Sequence, residues 1–366
     1  MKGRYVPLDV FRGFTVAGMI LVNNPGSWSH VYPLLGHAKW HGCTFADLVF
    51  PFFLFMVGMS IFLAFSKRGI QLNKSNIRKI LKRTAIIFVL GLLLAAFPFF
   101  RGWDYYERFR IMGVLQRIAL AYGGGAFLCL ALKRKQLMLV TALILLSYWG
   151  LLLLGGPAPF ALESNMVLKF DTAVLGEAHL WRGTGIPFDP EGLLSTLPSI
   201  ATVLLGFLSA SVLIEKESPV NLKRMLSIGF LLLLIGWAWG WVFPINKQLW
   251  TSSFVLFTAG FALLFLSVFI VLMKKWGDSE FFHLFEVYGV NPLVAFVGSG
   301  LLAKTMYMVK FTFDESKMSI SSYLFKTLYE PLLGADLGSL AFALSHVLFW
   351  YVVLRLMYKK KMFVKV

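Results

Sequence analysis

Six histidines occur in 366 residues, and four of them, His30, His37, His41 and His179, lie in two polar stretches between long apolar runs. His37 stands in Gly36-His37-Ala38-Lys39-Trp40-His41-Gly42, after Asn23-Asn24-Pro25-Gly26 and before Asp47-Leu48-Val49-Phe50-Pro51. Imidazole titrates near pH ~6.5, so at an apolar boundary it is suited to accept a proton from an amine or to act as a nucleophile. Asp47 is placed to orient the His37 ring or to bind an ammonium group. His37 and His41 are four apart, as in helical zinc pairs, but glycines flank them, no H-E-x-x-H carboxylate is present and no cysteine-rich partner exists. No metal is expected. The two cysteines, Cys43 and Cys129, form neither a C-x-x-C pair nor a disulfide framework.

The elements that must carry these residues are membrane helices. The chain is 58% hydrophobic and only 14% charged, with a mean hydropathy of +0.73. Soluble and disordered classes are excluded, because a soluble protein carries about 25% charged residues. About 20 apolar residues cross a bilayer core, and ten such stretches are present: 7–24, 45–65, 84–100, 111–132, 137–154, 192–214, 226–243, 250–273, 284–302 and 337–358. The expectation is an all-α, polytopic transmembrane bundle of about ten helices forming a single domain over 1–366, with both termini on one side. The first stretch contains Asp9 and Arg12 and no small-residue cleavage site follows it, so it reads as a retained helix and not as a signal peptide.

Charge gives the sidedness. With the N-terminus inside, the inner segments hold 22 basic residues against five acidic ones, Glu215, Glu217, Asp278, Glu280 and Glu286. These basic residues are Lys2 and Arg4, seven between Lys67 and Arg83, Lys133 to Lys135, three between Lys216 and Arg224, Lys274 and Lys275, and five from Arg355 onward. The outer loops balance at eleven of each sign, so the whole net charge of +17 falls on one face. The positive-inside rule makes that face cytoplasmic. Its charge serves topology and contact with anionic lipid headgroups, and part of it suits a phosphorylated ligand; nucleic acid is not an expected partner. Three of the outer loops matter here: 25–44, 155–191 and 303–336. The second carries Glu163, Asp171, Glu177, His179, Trp181, Asp189 and Glu191, a mixture of acids and aromatics that suits a polar or cationic ligand, since carbohydrate sites combine a stacking ring with carboxylates and an ammonium gains on the face of Trp.

Polar residues inside apolar segments are candidates by default, since an ionised group there costs several kcal/mol unless paired or hydrated. They are Asp9, Arg12, Asn23, Asp47, Gln116, Arg117 and Asn291. Asp9 and Arg12 are three apart and share one helix face, as an ion pair or as ligand groups. Gln116 and Arg117 fit either a channel lining or a brace of the bundle. Asn291-Pro292 marks a helix break, which with the intramembrane charges also suits a secondary transporter for a sugar or amphiphile.

Seven separated motifs resemble the transmembrane heparan-alpha-glucosaminide N-acetyltransferase family, including its bacterial NagX-like members. They are Leu8-Asp9-Val10-Phe11-Arg12-Gly13, Val22-Asn23, His37 to Gly42, Ala46 to Pro51, Gly113-Val114-Leu115-Gln116-Arg117, Phe188-Asp189-Pro190-Glu191-Gly192-Leu193, and Pro244 to Trp250. The resemblance implies acetyl transfer from cytoplasmic acetyl-CoA to the amine of a terminal glucosamine on the far side, in a multi-pass protein of the bacterial inner membrane that forms a homodimer. It makes His37 the catalytic histidine, as general base or acetyl carrier, and Asn23 the active-site asparagine, with Asp47 beside them. Acceptor contacts are expected from Asn24, Trp40, His41, Asp189, Glu191, Asn246 and Trp250. Donor contacts are expected from Arg12, Gln116, Arg117 and Asn291. His41 stands where the lysosomal member has an Asn.

Overall fold

Long apolar runs can meet their backbone hydrogen-bonding needs in lipid only as helices, and the chain is mostly helical. A computed structural model describes residues 5–66, 69–213, 221–277, 279–313 and 316–364. The helices are α1 (Val6–Asn23), α2 (Phe45–Ser66), α3 (Lys74–Ala96), a short α4 (Trp103–Glu107), α5 (Val114–Ala131), α6 (Arg134–Leu153), α7 (Met166–Leu175), α8 (Thr196–Leu213), α9 (Leu222–Trp239) and α10 (Ser252–Trp276). There follow α11 (Glu280–Val290), α12 (Pro292–Met308), a hairpin of β1 (Lys310–Phe313) and β2 (Ser316–Ser319), α13 (Ile320–Leu324), α14 (Glu330–Leu333) and α15 (Ala335–Lys359). The antiparallel hairpin pairs Lys310 with Ser319 and Phe313 with Ser316.

Each of the ten apolar stretches falls on helix. Among the described residues seven helices, α1, α2, α5, α6, α9, α10 and α15, are long and apolar enough to cross a membrane, and α11 with α12 makes an eighth if that pair is one span. Two stretches fall short of that standard. α3 starts at Lys74, ten residues before the expected 84, and Lys79, Lys82 and Arg83 charge its first half; α8 is a shorter apolar helix. Of the residues used for sidedness, Lys2, Arg4, Lys67, Arg68, Glu215, Lys216, Glu217, Asp278 and Lys365 lie outside the described residues, as does residue 214 at the expected end of the sixth stretch. α6 and α9 leave Leu139, Leu143, Phe230, Leu231 and Trp237 exposed, an apolar surface that water would not tolerate and lipid would. The chain is a multi-pass membrane protein.

The chain forms two compact units. The first comprises Met1–Ala38, Thr44–Phe50 and Val268–Lys365; the second comprises Lys39–Cys43 and Pro51–Ser267. In the first, α1 and α11 approach until their backbones touch. A Cβ on Gly13 would lie 1.6 Å from the Phe285 carbonyl oxygen, and one on Gly289 would lie 1.9 Å from that of Asp9. Phe14 then packs edge-on against Phe285 at 5.5 Å. Gly13→Ala and Gly289→Ala are each expected to destabilise the fold by about 1–3 kcal/mol, the range for overpacking a filled core. Heating the variants in detergent and following the surviving folded fraction checks this, and unchanged midpoints would contradict it.

Pro292 has no N–H to continue α11, and the pair bends there by 80°. Arg12 Nη1 donates to the Gly289 carbonyl at 3.1 Å, placing a cation on the exposed carbonyls of the α11 C-terminus, where the helix dipole favours it. Asp9 balances it at 3.2 Å. Of the two readings of this spacing the ion pair is present, and Arg12 joins it to the helix break. In the second unit, Gly58 and Gly206 repeat the close approach between α2 and α8: a Cβ on Gly58 would meet the Val203 carbonyl at 1.9 Å, and one on Gly206 that of Phe55 at 1.9 Å.

Candidate active site

His37 and Asp47 meet in the first unit. Thr44 immediately precedes α2, and Asp47 is the third helical residue, so its side chain reaches back to the Thr44 backbone N–H at 3.1 Å, as in a helix-capping box. The same oxygen, Oδ2, accepts the Ala38 N–H at 3.0 Å. The Thr44 hydroxyl lies 2.7 Å from the Gly36 carbonyl and 3.1 Å from Oδ2, so one short segment is folded around one carboxylate. The other oxygen, Oδ1, lies 2.8 Å from His37 Nδ1. An ionised carboxylate only accepts, so Nδ1 carries the proton and the basic lone pair is on Nε2. Asp47 is 2% exposed at the side chain while His37 is 43% exposed. A buried acid thus holds an accessible imidazole in one tautomer, the arrangement of a general base and its orienting group.

Asn23 is the exposed last residue of α1, whereas Asn24 is buried and its Nδ2 donates to the Ile20 carbonyl at 2.7 Å. Asn24 therefore caps the helix, and Asn23 is the one open to a ligand. The following turn is tied down: Gly26 N–H donates to the Ser339 carbonyl at 3.2 Å, and His30 Nδ1 lies 3.0 Å from Asp336.

In the second unit, Lys39, Trp40, His41, Glu163, Trp181 and Gln248 line a cavity of about 490 Å³. Trp40 Nε1 donates to the Phe160 carbonyl at 2.8 Å, and its ring meets Phe188 edge-on at 5.5 Å. Gly42, at φ 110°, bridges to the 245–246 strand of loop by donating to the Ile245 carbonyl at 2.8 Å. Asn246 is fully buried; its Oδ1 accepts the Leu249 N–H at 2.8 Å and its Nδ2 lies 3.4 Å from His41 Nδ1. Partial burial lowers the His41 pKa, so this ring is neutral and accepts from the amide. Asn246 shapes the cavity wall through His41 and does not line it. Trp250, expected at the acceptor, is 1% exposed, with its ring on the Arg117 guanidinium at 5.1 Å and its Nε1 donating to Thr202 Oγ1 at 3.1 Å.

Beneath this lies a charged network. Arg110 grips Asp189 through Nε at 2.8 Å and Nη2 at 2.7 Å, and its Nη2 also donates to Glu191 at 2.6 Å. Burial works to lower the Arg110 pKa, but the two carboxylates reverse this and hold it above its ordinary value. Glu191 is likewise held below the usual carboxylate range: burial opposes its ionisation, and Arg110, Arg117 and Lys247 prevail. Fully buried Arg117 donates through Nη2 to the Gly192 carbonyl at 3.1 Å and to Ser195 Oγ. Where ligand contacts were expected from Asp189, Glu191 and Arg117, the structure pairs the two acids with Arg110, since a carboxylate without water needs an opposite charge, and sets Arg117 on neutral oxygens and the Trp250 ring, its Nε and Nη1 buried without a hydrogen-bond partner. Gln116 is buried beside Gly91. Asn291 is fully buried; its Nδ2 donates to the Met362 carbonyl at 3.0 Å and its Oδ1 accepts the Val364 N–H at 2.9 Å. Its amide holds the chain end where a donor contact was expected.

Asp171, on α7, is pushed up to about 6 by burial, which the Leu194 N–H and Arg117 only partly offset. Its Oδ2 is buried without a hydrogen-bond partner. Because this pKa is raised on folding, the carboxyl stabilises the fold below its unfolded value, and that contribution is lost as pH rises through about 6. Asp171→Asn is expected to flatten the thermal-stability profile between about pH 4 and 6 relative to the parent. Identical pH profiles would contradict the assignment.

Sequence reading missed Arg110, which is visible only once Asp189 and Glu191 fold onto it; it named Glu163 and Trp181 only within a polar loop suited to a ligand, and Lys39 and Gln248 only within motifs. Among the described residues no three His, Cys, Asp or Glu side chains gather as a metal site.

The catalytic-domain family model for heparan-alpha-glucosaminide N-acetyltransferase matches residues 4–236, well over half the chain. The chain belongs to this family. Both His37 and Asp47 lie within the matched span, as do Arg110, Asp189 and Glu191; Asn246, Trp250 and Asn291 lie beyond it. Among curated proteins, heparan-alpha-glucosaminide N-acetyltransferase of Mus musculus is 26% identical over 420 aligned residues, covering 98% of this chain and 60% of the mouse protein. The Homo sapiens protein of that name is 30% identical over 353, covering 80% of this chain and 52% of its own length. The chain thus spans between half and two thirds of the length of these relatives.

Proposed function

We propose that the protein transfers acetyl from acetyl-CoA to the amine of a terminal glucosamine or related amino sugar, across the bacterial inner membrane. The observation that carries this reading is the His37–Asp47 pair at 2.8 Å inside a chain of this family. In the direct scheme, His37 Nε2 takes a proton from the acceptor amine as nitrogen attacks the thioester carbonyl carbon. The new N–C bond forms, the C–S bond breaks, and CoA leaves as thiolate to be protonated. Asn23 donates to the carbonyl oxygen as negative charge develops there. In the carrier scheme Nε2 itself attacks the thioester, CoA thiolate leaves, and the acetyl-imidazole then passes its acetyl to the amine.

Acetyl-CoA is a polyanion, and the strongly basic face supports docking its phosphates on the cytoplasmic side, with both termini there and the acetyl end reaching the outer loops. Arg12 is the residue of that face proposed for the phosphates. For the acceptor, the cavity of Trp40, His41, Glu163 and Trp181 supplies rings for a sugar face and a carboxylate for an ammonium. Trp40→Ala is expected to raise KM for glucosamine about tenfold or more with a smaller change in kcat; an unchanged KM would remove Trp40 from the acceptor site.

The test is incubation of the reconstituted protein with acetyl-CoA and a panel of amines, read by mass spectrometry. N-acetylglucosamine is the expected product. No acetylated amine from any member, together with passage of the unmodified solute across the membrane, would favour the permease reading.

A further inference from the structure

α6, α8 and α9 enclose a second opening in the second unit, a groove of about 530 Å³ lined by apolar side chains that include Met138, Leu145, Leu205, Ile228 and Ile235, with Arg134 and Arg224 among them. Arg134 precedes Trp149 by fifteen residues on α6, and Arg224 precedes Trp239 by fifteen on α9. The two Trp rings meet edge-on at 5.6 Å and both arginines line the one groove, so the helices run the same way and in step. Fifteen residues make roughly 22 Å of helix. Both guanidinium groups therefore stand at one end of the groove and Trp239 at the other.

The groove is thus cationic at one end and apolar along a length somewhat greater than the ~15 Å of one leaflet's hydrocarbon. Arg134 is the first residue of α6 and Arg224 the third of α9, so the N-terminal dipoles of two helices add to their charge. Neither guanidinium has a hydrogen-bond or ion-pair partner among the described residues. Free fatty tails or a neutral lipid would fill the apolar part and leave two cations and two helix ends without a counter-charge. A diester phosphate supplies it while keeping acyl chains in the groove.

We propose that this groove is a binding site for an anionic phospholipid, its phosphate held by Arg134 and Arg224 and an acyl chain lying along α6, α8 and α9 toward Trp239. The site is separate from the His37 pair and does not depend on the reading of the reaction.

Native mass spectrometry of the full chain in detergent, titrated with phosphatidylglycerol and with phosphatidylcholine of the same acyl chains, tests it. The parent is expected to bind phosphatidylglycerol about tenfold or more tightly than phosphatidylcholine, as two basic contacts allow. Arg134→Gln with Arg224→Gln should abolish that preference, and the corresponding pair of Lys substitutions should retain most of it. Ser209→Trp, which fills the groove from α8 and leaves both charges in place, should weaken binding of both lipids. Equal binding of the two lipids by the parent would overturn the proposal, as would full phosphatidylglycerol binding by Ser209→Trp. A cross-link between two copies through Met138→Cys would show the groove covered by a second chain and would overturn it as well.

Discussion

His37→Ala is expected to lower acetyl transfer by about 10³-fold or more, the upper part of the range for a positioned general base, with the folded yield unchanged. The ring is accessible and outside the apolar core, so its loss opens no cavity. Asp47→Asn should lose a comparable factor for a different reason. The amide would offer an N–H where Oδ1 now accepts from Nδ1, driving the ring proton to Nε2 and removing the lone pair from the reacting side. Asp47 also receives Ala38 N–H and Thr44 N–H, so its replacement should loosen the 36–44 segment as well. The two variants separate the roles: His37→Ala leaves the Ala38 and Thr44 contacts to Asp47 in place, and Asp47→Asn affects both chemistry and the order of the segment. Radiolabelled acetyl-CoA without acceptor divides the two schemes, since only the carrier scheme labels the parent chain and not His37→Ala. Full turnover by His37→Ala would reject both.

The second large effect is on stability. Arg110→Ala is expected to destabilise the second unit by about 3–5 kcal/mol, the cost of leaving a buried charge without its partner. Asp189 has no exposed side-chain surface and takes two hydrogen bonds from Arg110. Arg110→Lys should recover only part, because an ammonium cannot reproduce the two-pronged contact. Combining Arg110→Met with Asp189→Leu and Glu191→Met should recover more, since no ion would then be stranded. Thermal midpoints by size-exclusion after heating provide the measurement, and a midpoint for Arg110→Ala equal to the parent's would contradict it.

How far the sequence could be read depended on the range of the interactions. The apolar runs are local, so all ten fall on helix, and the break at Asn291-Pro292 follows from a missing N–H. The exact ends of α3 did not follow, because a helix can extend from lipid into water and carry Lys74 to Arg83 without changing period. Among the site residues, Asp9 with Arg12 is a one-face pairing, legible at a spacing of three. The Thr44-x-x-Asp47 capping box is equally local and gives the reason that Asp47 points back at His37. Asp189, Glu191 and Arg117 looked like ligand groups because polarity in an apolar setting signals function or pairing equally. Their partner Arg110 lies about 80 residues away from the acids, a separation that only the fold closes. Trp250 and Asn246 share that ambiguity, and burial resolves it toward packing in this structure.

The most direct test of transfer from one side of the membrane to the other uses proteoliposomes with glucosamine trapped inside and acetyl-CoA added only outside. N-acetylglucosamine should accumulate in the lumen with the parent protein and not with His37→Ala. Product formed only when donor and acceptor share a compartment would contradict the account, as would equal lumenal acetylation by His37→Ala.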